Sequence, residues 1–314
     1  MGRRDGPGYS MPRPLARTPA GRNPAGMARS PLLPLAGALA VAMLACGEPS
    51  KAPAPAGGAA TGEDASARLL AQAEAGSPEA QYAVAISRAT GLGAERDDAV
   101  ALRFARLAAG QGVAEAQFLL GVLLREGRGT PADPVGAFRS FLAAAEQGSA
   151  DAQFATAEML EAGAGVAKNP EEAARWYRKA AEQGDLASQR WLARAYLEGI
   201  GVPRDLAEAA HWRIEAASHG DPEAQGEAAA AFLRGEGVLR DDAAGRRYLE
   251  QAAEAGNRHA AFTLGALYET GQRGVSRDPE AALAWYRRAA ALGSTEARDR
   301  LAQLEPTPAE AGKP

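Results

Sequence analysis

The feature that most constrains this chain is a motif of 36 residues that recurs along most of its 314 residues. Six copies follow one another in register, and the sixth is one residue longer than the others. They start at Ala80, Ala116, Ala152, Ser188, Ala224 and Ala260. A period in the thirties with two helical patterns per unit is typical of an α-solenoid, in which each helix pair buries its apolar face against its neighbours. The sequence therefore predicts an all-α array of six full repeats.

Each copy has three invariant glycines, which in the fourth copy are Gly199, Gly201 and Gly220. The first follows an alanine-rich apolar segment and suits the left-handed residue after a helix, here termed helix A. The second allows a tight turn, and the third ends a second helix, termed helix B. An Asp or Asn precedes helix B in every copy and is expected to cap it. These capping residues are Asp97, Asp133, Asn169, Asp205, Asp241 and Asp278.

The apolar residues of helix A follow one buried stripe, as the spacing of Ala116, Leu120, Leu123 and Leu124 indicates. Helix B has aromatic residues before an Ala-Ala pair at its end. These residues are Trp176-Tyr177, Trp212 and Trp285-Tyr286. We interpret them as wedges between repeats rather than as a ligand cage.

The recurring residues form a pattern: an Ala, Leu-Gly or Leu-Ala, an aromatic residue, G-x-G-V-x-x-D, A-x-x-W-Y-x-x-A-A and a closing Gly. This pattern resembles the Sel-one-like repeat, a relative of the tetratricopeptide repeat, over residues 65–304. The resemblance implies a right-handed superhelix of antiparallel helix pairs that acts as an adaptor or scaffold in protein complexes. Residues 65–75 match a lone helix B and residues 297–304 a lone helix A, so we expect half-repeats at both ends.

Residues 1–45 are predicted to be an N-terminal extension and a signal peptide, with translation starting at Met27. The apolar segment at residues 31–45 is short for a membrane span and suits a signal-peptide core. Residues 43–46, Met-Leu-Ala-Cys, resemble a bacterial lipobox, which implies that Cys46 is diacylated and becomes the mature N-terminus. An ordinary cleaved signal and an uncleaved anchor are the alternatives. Cys46 is the only cysteine, so no intramolecular disulfide forms.

Residues 46–64 are rich in Pro, Ala and Gly and are predicted to form a flexible tether, and residues 305–314 a disordered tail. A lipid anchor at Cys46 would hold the repeats at the membrane of the bacterial cell envelope, facing the periplasm. Without residues 1–45, the chain has 29 basic and 38 acidic residues, a net charge of −9. Nucleic acid is therefore not an expected partner.

The sequence contains no constellation of residues that indicates catalysis. His211, His219 and His259 are not at metal-ligand spacing, and no nucleophile elbow or phosphate-binding loop is present. We therefore expect no metal, no cofactor and no enzymatic activity. The alternative is a hydrolase of β-lactam or cell-wall compounds, an activity suggested for cysteine-rich relatives whose paired cysteines this chain lacks.

The surface of helix A opposite the buried stripe is the candidate partner-binding site, because in related solenoids it lines the concave groove. The candidate residues are Tyr82, Phe118, Val122, Arg125, Phe154, Glu158, Arg190, Arg194 and Phe262. Aromatic and arginine residues are common interface anchors, although the aromatics can equally pack against the adjoining repeat. The resulting hypothesis is a non-catalytic scaffold that binds an envelope protein or peptide.

Overall fold

The computed structural model describes residues 62–304, and all of the regular secondary structure in this range is α-helical. The helices are α1 (Gly62–Glu74), α2 (Pro78–Thr90), α3 (Asp98–Gly110), α4 (Ala114–Glu126), α5 (Pro134–Glu146), α6 (Ala150–Ala162), α7 (Pro170–Glu182), α8 (Leu186–Glu198), α9 (Leu206–Ser218), α10 (Pro222–Arg234), α11 (Asp242–Glu254), α12 (Arg258–Thr270), α13 (Pro279–Ala291) and α14 (Thr295–Leu304). The signal peptide, Cys46, most of the tether and the tail lie outside the described residues.

The helices pack in sequence order, which makes the chain an α-solenoid as the repeat period predicts. Six helix A–helix B pairs, from α2–α3 to α12–α13, form the full repeats. Helix α1 packs before them as a lone helix B, and α14 after them as a lone helix A. Within residues 62–304, none of the helices has the length and apolar composition that crossing a membrane requires.

The helix ends follow the predicted capping chemistry. Every first glycine is left-handed, as Gly199 shows with a φ of 77° and an N–H that donates to the carbonyl of Ala195. Each predicted Asp or Asn cap of helix B also accepts backbone N–H groups; the Asp205 carboxylate accepts from Ala207 and Glu208. These bonds satisfy donors that a helix N-terminus leaves free.

The second glycine of four linkers, Gly129, Gly165, Gly201 or Gly237, has a constraint that the sequence does not reveal. It approaches the start of helix B in the preceding repeat so closely that a Cβ on Gly201 would lie 2.2 Å from the carbonyl oxygen of Pro170. Gly165 meets Pro134 in the same way, at 2.1 Å. This glycine therefore sets the contact between successive repeats as well as the turn within one.

The core consists mainly of alanine and leucine, with aromatic side chains of helix B inserted beneath small residues of helix A. A Cβ on Gly121 would lie 2.6 Å from the ring of Phe141, and one on Gly265 would lie 2.7 Å from Tyr286. Tyr177 of the third repeat stacks on Trp191 of the fourth, with ring centroids 4.1 Å apart. This contact confirms that Tyr177 is a wedge between repeats.

A ladder of glutamine side chains joins the first three repeats. The glutamine at the second position of each of these three copies donates to a carbonyl at the end of the preceding helix B, as Gln153 does to Ala145 over 3.2 Å. Gln153 Oε1 in turn accepts from Nε2 of Gln183 at 2.8 Å, and Gln183 follows the last residue of helix B in the same repeat. Equivalent pairs join Gln81 to Gln111 and Gln117 to Gln147, each at 2.7 Å. The ladder satisfies polar atoms that would otherwise be buried without partners.

Candidate protein-binding face

The candidate site is the surface formed by the helix A members α2, α4, α6, α8, α10 and α12, here called the helix A face. In the first two repeats, its predicted aromatic and aliphatic contact residues are buried. Phe118 packs against Phe141 with ring centroids 5.5 Å apart, Tyr82 is also buried, and Val122 has no exposed surface. The structure therefore places Tyr82, Phe118 and Val122 in the core rather than at a surface open to a partner.

Phe154 and Phe262 are half-buried and pack against the aromatic residue of their own helix B. The Phe154 ring lies 5.7 Å from Tyr177, and the Phe262 ring lies 5.4 Å from Tyr286. Of the two alternatives for the aromatic row, the structure shows packing within the array, against helix B of the same repeat.

A hydrogen-bonded carboxylate, Glu161, lies among these aromatic residues. Its Oε2 accepts from the hydroxyl of Tyr177 at 3.0 Å and from the indole Nε1 of Trp191 at 2.9 Å. Burial and the neighbouring Glu161 charge raise the pKa of the Tyr177 hydroxyl, so it stays protonated and remains a donor. Glu161 thus bonds helix B of its own repeat and helix A of the next.

The same arrangement recurs at the C-terminal end of the array. Glu269, which occupies the position of Glu161, accepts from the Tyr286 hydroxyl at 2.7 Å and pairs with Arg300 of α14. Arg300 occupies in α14 the position that Trp191 occupies in α8, and it contacts Glu269 as Trp191 contacts Glu161. The sequence reasoning missed both networks, although a Glu at the tenth position together with a Tyr in helix B was a detectable signal.

The exposed part of the helix A face is a row of charged side chains. Arg125 NH1 lies 3.9 Å from Glu158 Oε2 of the next repeat, and burial raises the pKa of that carboxyl. Arg190 and Arg194 follow on α8, about half exposed. The structure therefore brings these four predicted residues together along one face, where solvent can reach them.

Within the described part of the chain, no group of three or more metal-ligating side chains is gathered in one place. His211, His219 and His259 are each exposed on separate helices or helix ends. The polar residues of the helix A face have hydrogen-bonding and ion-pairing capacity, which suits recognition of another chain.

Comparison with known proteins identifies the array. The Sel1 repeat model matches residues 78–113, 114–149, 150–185, 186–221, 222–257 and 258–294. These units contain the same six copies, with each boundary set two residues earlier. The chain therefore belongs to the Sel1 repeat family, whose members are generally non-catalytic scaffolds that bind protein partners.

Solved structures show the same fold. A protective antigen of uropathogenic Escherichia coli strains with an SLR fold is 34% identical, with a TM-score of 0.73 over 80% of this chain and 54% of that one. This chain thus spans about half the length of that antigen. A Sel1 repeat protein from Oxalobacter formigenes is also 34% identical, with a TM-score of 0.61 over 78% of this chain and 70% of that one. A search of curated proteins finds no match.

Proposed function

We propose that this protein is a non-catalytic protein–protein interaction scaffold that is anchored in the bacterial cell envelope and binds a segment of a partner protein across the helix A face. Acylation of Cys46 would supply the anchor, with the repeats facing the periplasm. The partner is an envelope protein or peptide whose extended or helical segment contacts several repeats at once.

The observation that supports this function best is the row formed by Arg125, Glu158, Arg190 and Arg194. Exposed ion pairs of this length contribute little to folding stability. A partner chain can therefore replace them with its own contacts at a small cost in free energy. Charged groups on an interface mainly set its specificity and its rate of association. The buried aromatic residues beneath hold the helices that carry this row in place.

Photo-crosslinking in cells tests this function. A photoreactive amino acid replaces Arg194 in the full chain, and a matched chain has it at Arg175, which is exposed on helix B. We expect a discrete adduct from position 194 in the membrane fraction and none from position 175. Two results would contradict a role for this face. One is equal adducts from positions 194 and 175, and the other is no adduct from position 194 and none from a second exposed position on helix A.

Phe118 is unsuitable for such a test, although the sequence made it a candidate. Its ring is buried against Phe141, and truncating a buried Phe costs about 3–5 kcal/mol. A loss of binding in Phe118→Ala would therefore report on folding, whereas Arg194 is exposed and separates the two effects.

A further inference from the structure

The boundary between repeats four and five differs from the other boundaries of the array. Within residues 62–304, no side-chain hydrogen bond forms between the helix pair α8–α9 and the helix pair α10–α11. The closest charged atoms across it are Arg190 NH1 and Asp221 Oδ2, 3.4 Å apart. At every other boundary, a side chain donates a hydrogen bond into the preceding unit. These donors are Gln81, Gln117, Gln153, Gln189, Arg273 and Arg300.

The linker of the fifth repeat lacks a donor that two other linkers have. Arg128 in the second repeat donates to the Ala89 carbonyl, and Arg273 in the sixth donates to the Leu233 carbonyl at 2.6 Å. Each of these carbonyls belongs to helix A of the preceding repeat. The fifth repeat has Glu236 between its two linker glycines, and an ionised carboxylate cannot donate a hydrogen bond. The linker therefore does not fasten repeat five to repeat four in this way.

The apolar core is also divided at this boundary. One continuous cluster of buried apolar side chains extends from α1 to α9, and a second extends from α10 to α14. Between them lies a separate small cluster, with half-buried Ile214 and Tyr248 at its edge. Its buried members are Ala216, Ala217, Ala224 and Ala228. Alanine side chains bury little apolar area, so moving α9 relative to α10 exposes less apolar surface than the same motion at a boundary filled by large side chains.

A charged pair replaces the aromatic stack that joins repeats three and four. Arg213 occupies the position of Tyr177, and Glu227 occupies the position of Trp191, with Arg213 Nε 3.8 Å from Glu227 Oε2. Three buried polar atoms on α9 and α10 have no hydrogen-bond partner. They are Trp212 Nε1, Arg213 Nε and Gln225 Oε1. Buried polar atoms without partners cost free energy, and a rotation that lets water reach them recovers part of this cost.

We propose that the joint between α9 and α10 is a hinge, about which repeats five and six rotate as one body relative to residues 62–218. Bending here breaks no side-chain hydrogen bond and exposes mainly alanine, so it costs less than bending at any other boundary. The close backbone contact of Gly237 with Leu206 remains as the pivot. Because the helix A face crosses this joint, its curvature changes with the hinge angle. The hinge rests on packing alone and is independent of the proposed function.

Distances between pairs of nitroxide labels, measured by double electron–electron resonance, test the hinge. The full chain with Cys46→Ser contains no cysteine, so labels attach only to cysteines introduced at exposed positions. The spanning pair is Arg175→Cys with Arg247→Cys, and the control pair is Arg139→Cys with His211→Cys. All four residues are exposed at the same position of helix B, and each pair is two repeats apart. We expect the spanning pair to give a distance distribution about twice as wide as that of the control pair.

A second set of labels guards against effects of one labelling position. Glu182→Cys with Glu254→Cys spans the joint, and Glu146→Cys with Ser218→Cys does not; all four residues are exposed at the end of helix B. The spanning pair must be the wider one in both sets. Equal widths of the spanning and control pairs in either set would overturn the hinge, because they would mean that the array bends uniformly or not at all.

A stiffened variant locates the motion. Arg213→Tyr combined with Glu227→Trp transfers the stack of Tyr177 on Trp191 to this joint, and it should narrow the distribution of the spanning pair to that of the control pair. A folded double variant that keeps the wide distribution would show that the motion does not arise between α9 and α10. If circular dichroism shows that the double variant does not fold, the comparison of spanning and control pairs in the unstiffened chain decides the question.

Discussion

His219 ends helix B of the fourth repeat at the position where the first three repeats have glutamine, and it leaves Gln189 Oε1 buried without a hydrogen bond. The series of glutamine pairs that runs through repeats one to three is therefore interrupted within the fourth repeat, although Gln189 Nε2 still donates to the Ala181 carbonyl of the third. Gln225 Oε1 is unpaired in the same way, because Ala255 occupies the glutamine position of the fifth repeat.

We predict that His219→Gln stabilises the protein, because a glutamine there can donate to Gln189 Oε1 as Gln183 does to Gln153. One added hydrogen bond to a buried acceptor should raise the free energy of unfolding by about 0.5–1.5 kcal/mol. Thermal and denaturant unfolding measure this change. Gln183→Ala, which breaks an existing pair, should lower stability, and a neutral or destabilising His219→Gln would show that the ladder is not a source of stability.

Gly201→Ala should destabilise more than Gly199→Ala. Both glycines have left-handed φ values, 64° and 77°, which cost a non-glycine residue about 1–2 kcal/mol. Gly201 also contacts the preceding repeat, so its new Cβ would overlap the Pro170 carbonyl oxygen, which should add about 1–3 kcal/mol. Urea unfolding compares the two variants, and equal losses would mean that the repeats separate slightly to admit the methyl group.

Tyr177→Phe should lower the free energy of unfolding by about 1 kcal/mol, because it removes one hydrogen bond to Glu161 while keeping the ring stacked on Trp191. Tyr248→Phe is the matched control, since the Tyr248 hydroxyl has no hydrogen-bond partner in the described structure. If both variants lose the same stability, the hydroxyl of Tyr177 contributes through packing rather than through Glu161.

Acid should weaken the contact between the first two repeats. Hydrogen bonds from Arg96 and Arg128 lower the pKa of Asp98 to about 2 from its usual 3.8. Because the folded-state pKa is depressed, the stabilisation is complete above about pH 4 and is lost as the pH falls towards about 2. The stability difference between the wild type and Asp98→Asn should shrink over that window, and a difference independent of pH would contradict this assignment.

Cys46→Ser should release the protein from the membrane fraction if acylation supplies the anchor. Fractionation with detection of the full chain measures the change, and circular dichroism should show unchanged helicity because the repeats begin well after this position. Continued membrane attachment of the variant would favour an uncleaved anchor and would count against lipidation.

The sequence by itself determined the helices, their caps and their order. Glycine at a left-handed position, Asp or Asn before a helix and an apolar stripe are local properties, and comparing six copies made them unambiguous. These properties predicted Gly199 as a helix end and Asp205 as a cap, and both are confirmed. The family followed from the same local pattern.

Only the tertiary structure decided which side chains of the helix A face are accessible. A helical wheel placed Val122 and Arg125 on the same outward surface, yet Val122 is fully buried while Arg125 reaches Glu158 in the next repeat. Exposure depends on how closely neighbouring repeats approach, and that distance is set by contacts such as Gly201 with Pro170, between residues far apart in sequence. The partners of Glu161, and the ion pairs of Arg213 with Glu227 and Glu236, arise from the same packing between repeats, which a single-helix pattern does not contain.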